Sequence, residues 1–99
     1  MSLTEKQLLP ALRAIADPTR LQILRLLKQK GHCSIGKAEG MCARDIEAQI
    51  DLSQPTISHH MAILTKAGLV FAEKHGLWMW YRRNEKSLQQ LAAAISGSI

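Results

Sequence analysis

Two groups of residues in this chain have types and spacings that could do chemistry. Residues 53–64 read SQPTISHHMAIL, where Gln54, Thr56, Ser58 and His59 present short hydrogen-bonding side chains. An idle surface helix carries good helix formers such as Glu and Lys there instead. Gln can donate and accept at once against the edge of an adenine, and Ser or Thr can reach base edges or phosphates. The competing reading is a plain solvated helix face. His60 differs from its neighbours because it adjoins the apolar stripe, which suits a packing histidine better than a surface contact. The second group is Cys33 and Cys42, nine residues apart in GHCSIGKAEGMC. Cys42 as a small buried hydrophobe with an idle Cys33 is one reading. A redox pair is another, since Lys30, His32 and Lys37 give Cys33 a cationic setting that favours thiol reactivity. A metal or metalloid site with His32, or with a thiol of a second copy, is the third, although no CxxC or HxxxH spacing is present.

The elements that must position these residues follow from apolar spacing. Ser53 is a good N-cap and Pro55 falls in the first turn, where its missing N–H costs nothing. Ile57, Met61 and Leu64 then recur on one face, and Gly68 marks the stop. A short helix over 42–50, with Ile46 and Ile50 inward, joins this one through Asp51-Leu52-Ser53. Two helices with so brief a turn make a helix-turn-helix at about 43–67, whose second member enters a groove. Upstream, Ser2 and Glu5 form a possible capping box ahead of Leu8, Leu9, Leu12 and Ile15. Asp17-Pro18 starts a second helix with a wide stripe from Leu21 to Leu27, the mark of a central, buried helix. Residues 31–41 carry three glycines without periodicity and read as a loop.

Beyond Gly68 the period changes. LVFAEKHGLWMWYRR holds two strand-like runs around His75-Gly76, a β-hairpin wing at about 69–82 with Lys74 and His75 near its tip. Trp78 and Trp80 fall on one side of their strand, Met79 and Tyr81 on the other, so both sides are apolar. Core on one side and a helix or second subunit on the other suit this better than an aromatic ligand cage. Asn84 caps a last helix with Leu88, Leu91, Ala92 and Ile95 on one side, and Ser96-Gly97-Ser98 reads as frayed. Residues 1–99 are therefore expected to form one mainly α domain with a β-hairpin wing, a winged helix-turn-helix. Its terminal helices, about 3–16 and 84–96, carry more apolar side chains than so small a domain can cover. Leu8, Leu12, Ile15, Leu88, Leu91 and Ile95 are the expected homodimer interface.

Composition limits the partners. Thirteen Lys and Arg face eight Asp and Glu, a formal net charge of +5, which favours nucleic acid first and an anionic surface second. No apolar run approaches the roughly 20 residues of a membrane span, and no signal-peptide pattern opens the chain, so no membrane partner and a cytoplasmic location are expected. Two cysteines are too few for a disulfide framework. No Ser or Cys has a His and a carboxylate at a familiar catalytic spacing, and no Gly-rich loop follows a strand, so no enzyme and no cofactor are expected. The rival to a DNA-binding regulator is a winged-helix module for protein–protein contact, which would show an apolar or acidic outward face on its second helix.

ADPTRLQILRLL at 16–27, LSQPTISHHMAILTKAGLV at 52–70 and HGLWMWYR at 75–82 resemble the ArsR family of bacterial winged-helix repressors. The resemblance implies a homodimer on a double-stranded DNA operator, read by Ser53, Gln54, Thr56, Ser58 and His59 with Lys74 and His75 on the wing. It also implies release by an inducer, often a metal ion, whose identity these residues leave unknown. The family's thiol site has two cysteines one residue apart before an acid at the start of the third helix. Here Cys42 matches the first, Arg44 stands in place of the second, and Asp45 follows. A lone thiolate with a guanidinium beside it is a poor soft-metal site. The family's other site, on the last helix, needs carboxylates and imidazoles, and residues 84–99 contain no His or Asp and only Glu85. No metal is expected, and Cys33 with Cys42 remains the sole candidate sensing pair.

Overall fold

The computed structural model describes residues 3–31 and 33–98, the side chain of Ser98 excepted. In chain order the elements are α1 (Glu5–Ile15), α2 (Pro18–Lys28), β1 (Met41–Cys42), α3 (Ala43–Gln49), α4 (Gln54–Lys66), β2 (Val70–His75), β3 (Trp78–Arg83) and α5 (Glu85–Ser98). This is the expected winged helix-turn-helix, with the differences set out below.

Helix starts are decided by which side chain can satisfy the first free amides. Asp17 accepts from the Arg20 amide at 3.0 Å with Pro18 following, as expected. That amide, more than any other group, holds the Asp17 carboxyl below the usual carboxylate range. For α1 the expectation is corrected: the Thr4 amide donates to Gln7 Oε1 at 3.1 Å, so the reciprocal cap lies later than Ser2 and Glu5. Ser2 lies outside the described residues. At the far end α5 runs to Ser98, past the fraying expected at Ser96. Asn84 anchors its start. Its Oδ1 accepts from the Ser87 amide at 3.2 Å, and its Nδ2 donates to the Gly68 carbonyl at 2.9 Å. The end of α4 and the start of α5 are thus tied through one side chain.

The sheet has the order β1-β3-β2 and is antiparallel throughout. Pairing of β2 with β3 runs from Val70–Arg83 to His75–Trp78, and Gly76 at φ 62° begins the two-residue turn with Leu77. A two-residue turn whose first residue is a glycine of positive φ matches the right-handed twist of its strands. His75 is therefore the last paired residue of β2, one step before the turn. The third strand was not anticipated in the loop at 31–41. Met41 pairs with Tyr81 and Cys42 with Trp80, and Lys30 bridges to Glu39. A strand of two residues has no period to read.

Ile23, Leu24 and Leu27 of α2 meet Ile46 of α3, Ile57, Met61 and Leu64 of α4, and Leu91 of α5, with Leu69, Val70 and Tyr81 closing the core. On α1 the buried residues are Ala11 and Ala14, whose small side chains let the helix lie close; the larger Leu8, Leu12 and Ile15 are only partly buried.

Gly40 links the loop to β1 at φ 77°, and a Cβ there would overlap the Tyr81 carbonyl oxygen and lie 2.8 Å from Trp80 Nε1. Trp80 Nε1 donates to the Glu39 carbonyl beside it at 3.0 Å, so the neighbouring atoms have little room to move. Gly36, at φ 81°, faces open space. Alanine at Gly36 is expected to cost about 1–2 kcal/mol, the backbone penalty alone. Alanine at Gly40 should cost clearly more in urea unfolding, and equal losses would show that the contact with β3 is unimportant.

Candidate nucleic-acid interface

The placement of α4 begins with its dry face. Ile57, Met61 and Leu64 are at most 1% exposed, packed against α1, α2, α3 and β2. With that face buried, Gln54, Ser58 and His59 must point to solvent, and all three are exposed. Ser53 caps the helix by accepting from the Thr56 amide at 3.4 Å, and the two hydroxyls bond each other at 2.9 Å. Ser53 and Thr56 are therefore partly engaged with one another. The freest hydrogen-bonding groups on this face are Gln54, Ser58 and His59.

His60 is a packing histidine, as its position beside the stripe suggests. Its Nδ1 lies 3.2 Å from Arg20 Nη1. A guanidinium only donates, so Nδ1 is the acceptor of this contact. The same arginine donates from Nε to the Ala14 carbonyl at 2.6 Å and from Nη2 to the Arg13 carbonyl at 3.3 Å. One planar side chain thus fastens the end of α1, the start of α2 and the outer flank of α4.

The wing stands beside the N-terminal half of α4. Ala43, Arg44 and Glu47 of α3, Gln54 and Ser58 of α4, and Leu77, Trp78, Met79 and Tyr81 of the hairpin line one shallow cleft. Lys74 is exposed on β2, where the sequence places it. His75 is not free at the tip: its ring packs edge-on against Trp80 at 5.5 Å between centroids. Its Nε2 is buried without a hydrogen bond, 3.6 Å from Glu73 Oε1. Leu77 is 92% exposed and was missed as a surface feature, because apolar residues in a strand pattern read as core. Arg44 was also missed here. Its guanidinium lies 4.7 Å from the centre of the Trp78 ring, a cation–π contact at the edge of the cleft.

The fold brings Cys33 and Cys42 together with Asp45: the two sulfurs and a carboxylate oxygen all lie within 4.8 Å of one another. Cys42 is buried and Cys33 half-buried. Burial first, and then the closeness of Cys33 and Asp45, pushes the Cys42 thiol up to about 11. Asp45 Oδ2 accepts from the Cys42 amide and from the amide and hydroxyl of Ser34, each at 3.1 Å. That contact folds the loop back onto α3. Two expectations are corrected. Cys42 is not a solitary thiol, since the loop supplies a second, and Arg44 is stacked on Trp78. Of the cations expected around Cys33, Lys37 sits 5.3 Å from the Trp80 ring, and His32 lies outside the described residues.

Of the residues expected at a dimer interface, Leu8, Leu12, Ile15, Leu88 and Ile95 are partly buried, while Leu91 is 3% exposed and already committed to this chain's own core. Leu9, half exposed, adds to the outer surface of α1. Ile15, Leu21, Leu24, Leu88, Ala92 and Ile95 line an apolar groove between α1, α2 and α5. No helix among the described residues is long and apolar enough to cross a membrane.

Replacing Arg20 by Lys keeps the charge but removes the planar fork that reaches three acceptors. The expected loss is about 1.5–3 kcal/mol in denaturant unfolding, the range for hydrogen bonds to a charged group. A loss within a few tenths would show that the fork does not fasten these helices.

Comparison with known proteins agrees with this geometry. Residues 17–71 match the family described as bacterial regulatory protein, arsR family. The chain is 46% identical over 69 residues to an HTH-type transcriptional regulator of Methanocaldococcus jannaschii, a stretch covering 70% of this chain and 68% of that one. It is 38% identical over 77 residues to the transcriptional repressor SdpR of Bacillus subtilis, covering 78% of this chain and 76% of that one. Its fold is similar to a homodimeric winged helix-turn-helix DNA-binding domain from Mycobacterium bovis, a possible ArsR-family regulator. There the TM-score is 0.72 at 26% identity, over 94% of this chain and 78% of that one. With its helix-turn-helix inside the matched residues and its wing beside it, this chain belongs to the ArsR family of bacterial regulatory proteins.

Proposed function

We propose that two copies of this chain bind a palindromic DNA operator and repress transcription from it. The observation that carries the reading is the outward face of α4, where Gln54, Ser58 and His59 are exposed beside a wing bearing Lys74 on a chain of net charge +5. Gln54 and Ser58 read base edges in the major groove, with Ser53 and Thr56 at the helix start facing the backbone. Lys74 neutralises a flanking phosphate. His75 contributes by packing against Trp80, which holds the hairpin in place. The second copy docks through the partly buried side chains of α1 and α5, Leu8, Leu12, Ile15, Leu88 and Ile95, and the groove between them. Pairing there sets two recognition helices about 34 Å apart, one turn of DNA.

The direct test is a gel shift on palindromes from DNA upstream of the protein's own reading frame, against a scrambled duplex. Retarded bands that the scrambled duplex does not compete away support the reading, and equal competition rejects sequence-specific binding. Alanine at Gln54 or Ser58 should cost about 1–3 kcal/mol of discrimination between right and wrong bases. Alanine at Lys74 should weaken binding to all sequences alike and lower the salt slope by about 0.9 per lost phosphate contact. If the wing variant changes sequence choice and the helix variants do not, the readers are assigned the wrong way round. Sedimentation at micromolar concentration should give twice the chain mass, and Leu12→Glu with Leu88→Glu should give the monomer.

A further inference from the structure

We propose that Leu77 is an apolar wedge that enters a base step through the minor groove, so that this chain bends the DNA it binds. The inference rests on the operator reading and adds to it a distortion of the duplex. Leu77 follows Gly76 in the two-residue turn, and a turn that opens on glycine accepts almost any residue at its second position. Leucine there adds little to the hairpin's own stability, because its side chain is 92% exposed. Trp78 and Met79 follow at 41% and 37%, so three successive apolar side chains crown the tip. Single exposed apolar residues are ordinary, whereas a contiguous patch marks contact with something outside the chain.

The surroundings select DNA as that partner. Leu77, Trp78 and Met79 line the same cleft as Gln54 and Ser58 of α4, so the patch continues the readout face. Cations flank it: Arg44 lies 4.7 Å from the centre of the Trp78 ring, and exposed Lys74 is paired across the hairpin with Met79. Glu47 is the one acid among the cleft residues, and it belongs to α3 rather than to the wing. An apolar apex with positive shoulders matches a groove walled by phosphates and floored by base edges. With α4 in the major groove, the wing beside it reaches the neighbouring minor groove, about 6 Å wide. A branched aliphatic side chain at the apex is narrow enough to enter. A wedge must also be stiff, since unstacking bases costs free energy that a loose tip would avoid by folding aside. His75 packs on Trp80 at 5.5 Å just before the turn, β1 pairs with β3, and the Trp80 indole bonds the Glu39 carbonyl. The apex therefore moves with the core. Pyrimidine–purine steps unstack most easily, so the wedge belongs at a TA or CA/TG step rather than within an A-tract.

The test takes a palindrome that the full chain retards in the gel shift and sets it at different positions in fragments of one length. Mobility of the wild-type complexes should vary with position, as for a kink of about 20–90°. Permanganate, which oxidises thymines that have lost their stacking, should mark a TA or TG step on each side of the dyad. Leu77→Ser should abolish both signals while a retarded band persists at higher protein concentration, and Leu77→Phe should keep them. Lys74→Ala should weaken the complex yet leave the bend in what remains bound. If Leu77→Ser bends the palindrome and exposes thymine as the wild type does, or if the wild type does neither, the wedge is overturned while operator binding stands. A wild type that retards no palindrome in preference to scrambled DNA rejects the operator reading, and the wedge with it.

Discussion

One face of α4 can be dry only if the other is wet. Ile57, Met61 and Leu64 are almost wholly excluded from water, and a helix turning 100° per residue then has no freedom over where Gln54, Ser58 and His59 point. Deleting any of the three apolar side chains would forfeit contacts in a close-packed interior, a loss of several kcal/mol. The readout face is therefore positioned by hydrophobic burial on its opposite side. Its polar residues are free to vary without disturbing the fold, while the dry residues are not. A regulator built this way can change its DNA sequence preference without changing its core.

The wing needs a separate anchor, because a two-stranded hairpin is marginal alone in water. It has three. The pairing of β1 with β3 adds a third strand, the Trp80 indole bonds the Glu39 carbonyl, and Arg83 Nη1 reaches the Leu24 carbonyl of α2 at 3.3 Å. Asn84 then joins the hairpin's exit to the end of α4. The distance between recognition helix and wing is thus set through α2 and the sheet as well as through the three residues that join α4 to β2. Such bracing limits how far the two contact points can drift, which reduces the ordering cost on binding DNA.

Much of this was legible locally. The caps at Asp17, Ser53 and Asn84, the stripe on α4 and the hairpin punctuated by Gly76 each depend on residues a few positions apart. What escaped depends on pairs far apart in sequence. Met41-Cys42 becomes a strand only because Tyr81 and Trp80 offer it an edge. Cys33 and Cys42 were a candidate pair from the sequence, but the contact that folds the loop back, Ser34 with Asp45 eleven residues away, could not be read there. On α1 the burial has another source. Apolar spacing identified a face from Leu8, Leu12 and Ile15, but close approach to α2 and α4 selected the small Ala11 and Ala14 for burial. Leu91 is 3% exposed yet also lines the groove beside Leu88 and Ile95, since periodicity names a stripe without saying which chain covers it.

The positive charge is also organised by long-range contacts. Three cations lie over aromatic rings of the sheet: Arg44 over Trp78, Arg82 over Phe71 at 4.2 Å and Lys37 over Trp80. A ring face attracts a cation by about 0.5–1 kcal/mol at an exposed site, enough to favour one orientation while leaving the charge wet. Each ring belongs to β2 or β3, so the charges are carried by the same braced hairpin that flanks α4. Phe71 and Trp78 are exposed aromatics that serve the surface, which explains why a strand apolar on both sides needs no second apolar layer along its whole length. Near the turn its Trp78 ring faces solvent and holds Arg44. Near β1, Trp80 and Tyr81 enter the interior. A single strand thereby joins the core to the charged rim of the interface, and its alternation changes meaning midway because β1 covers only its far half.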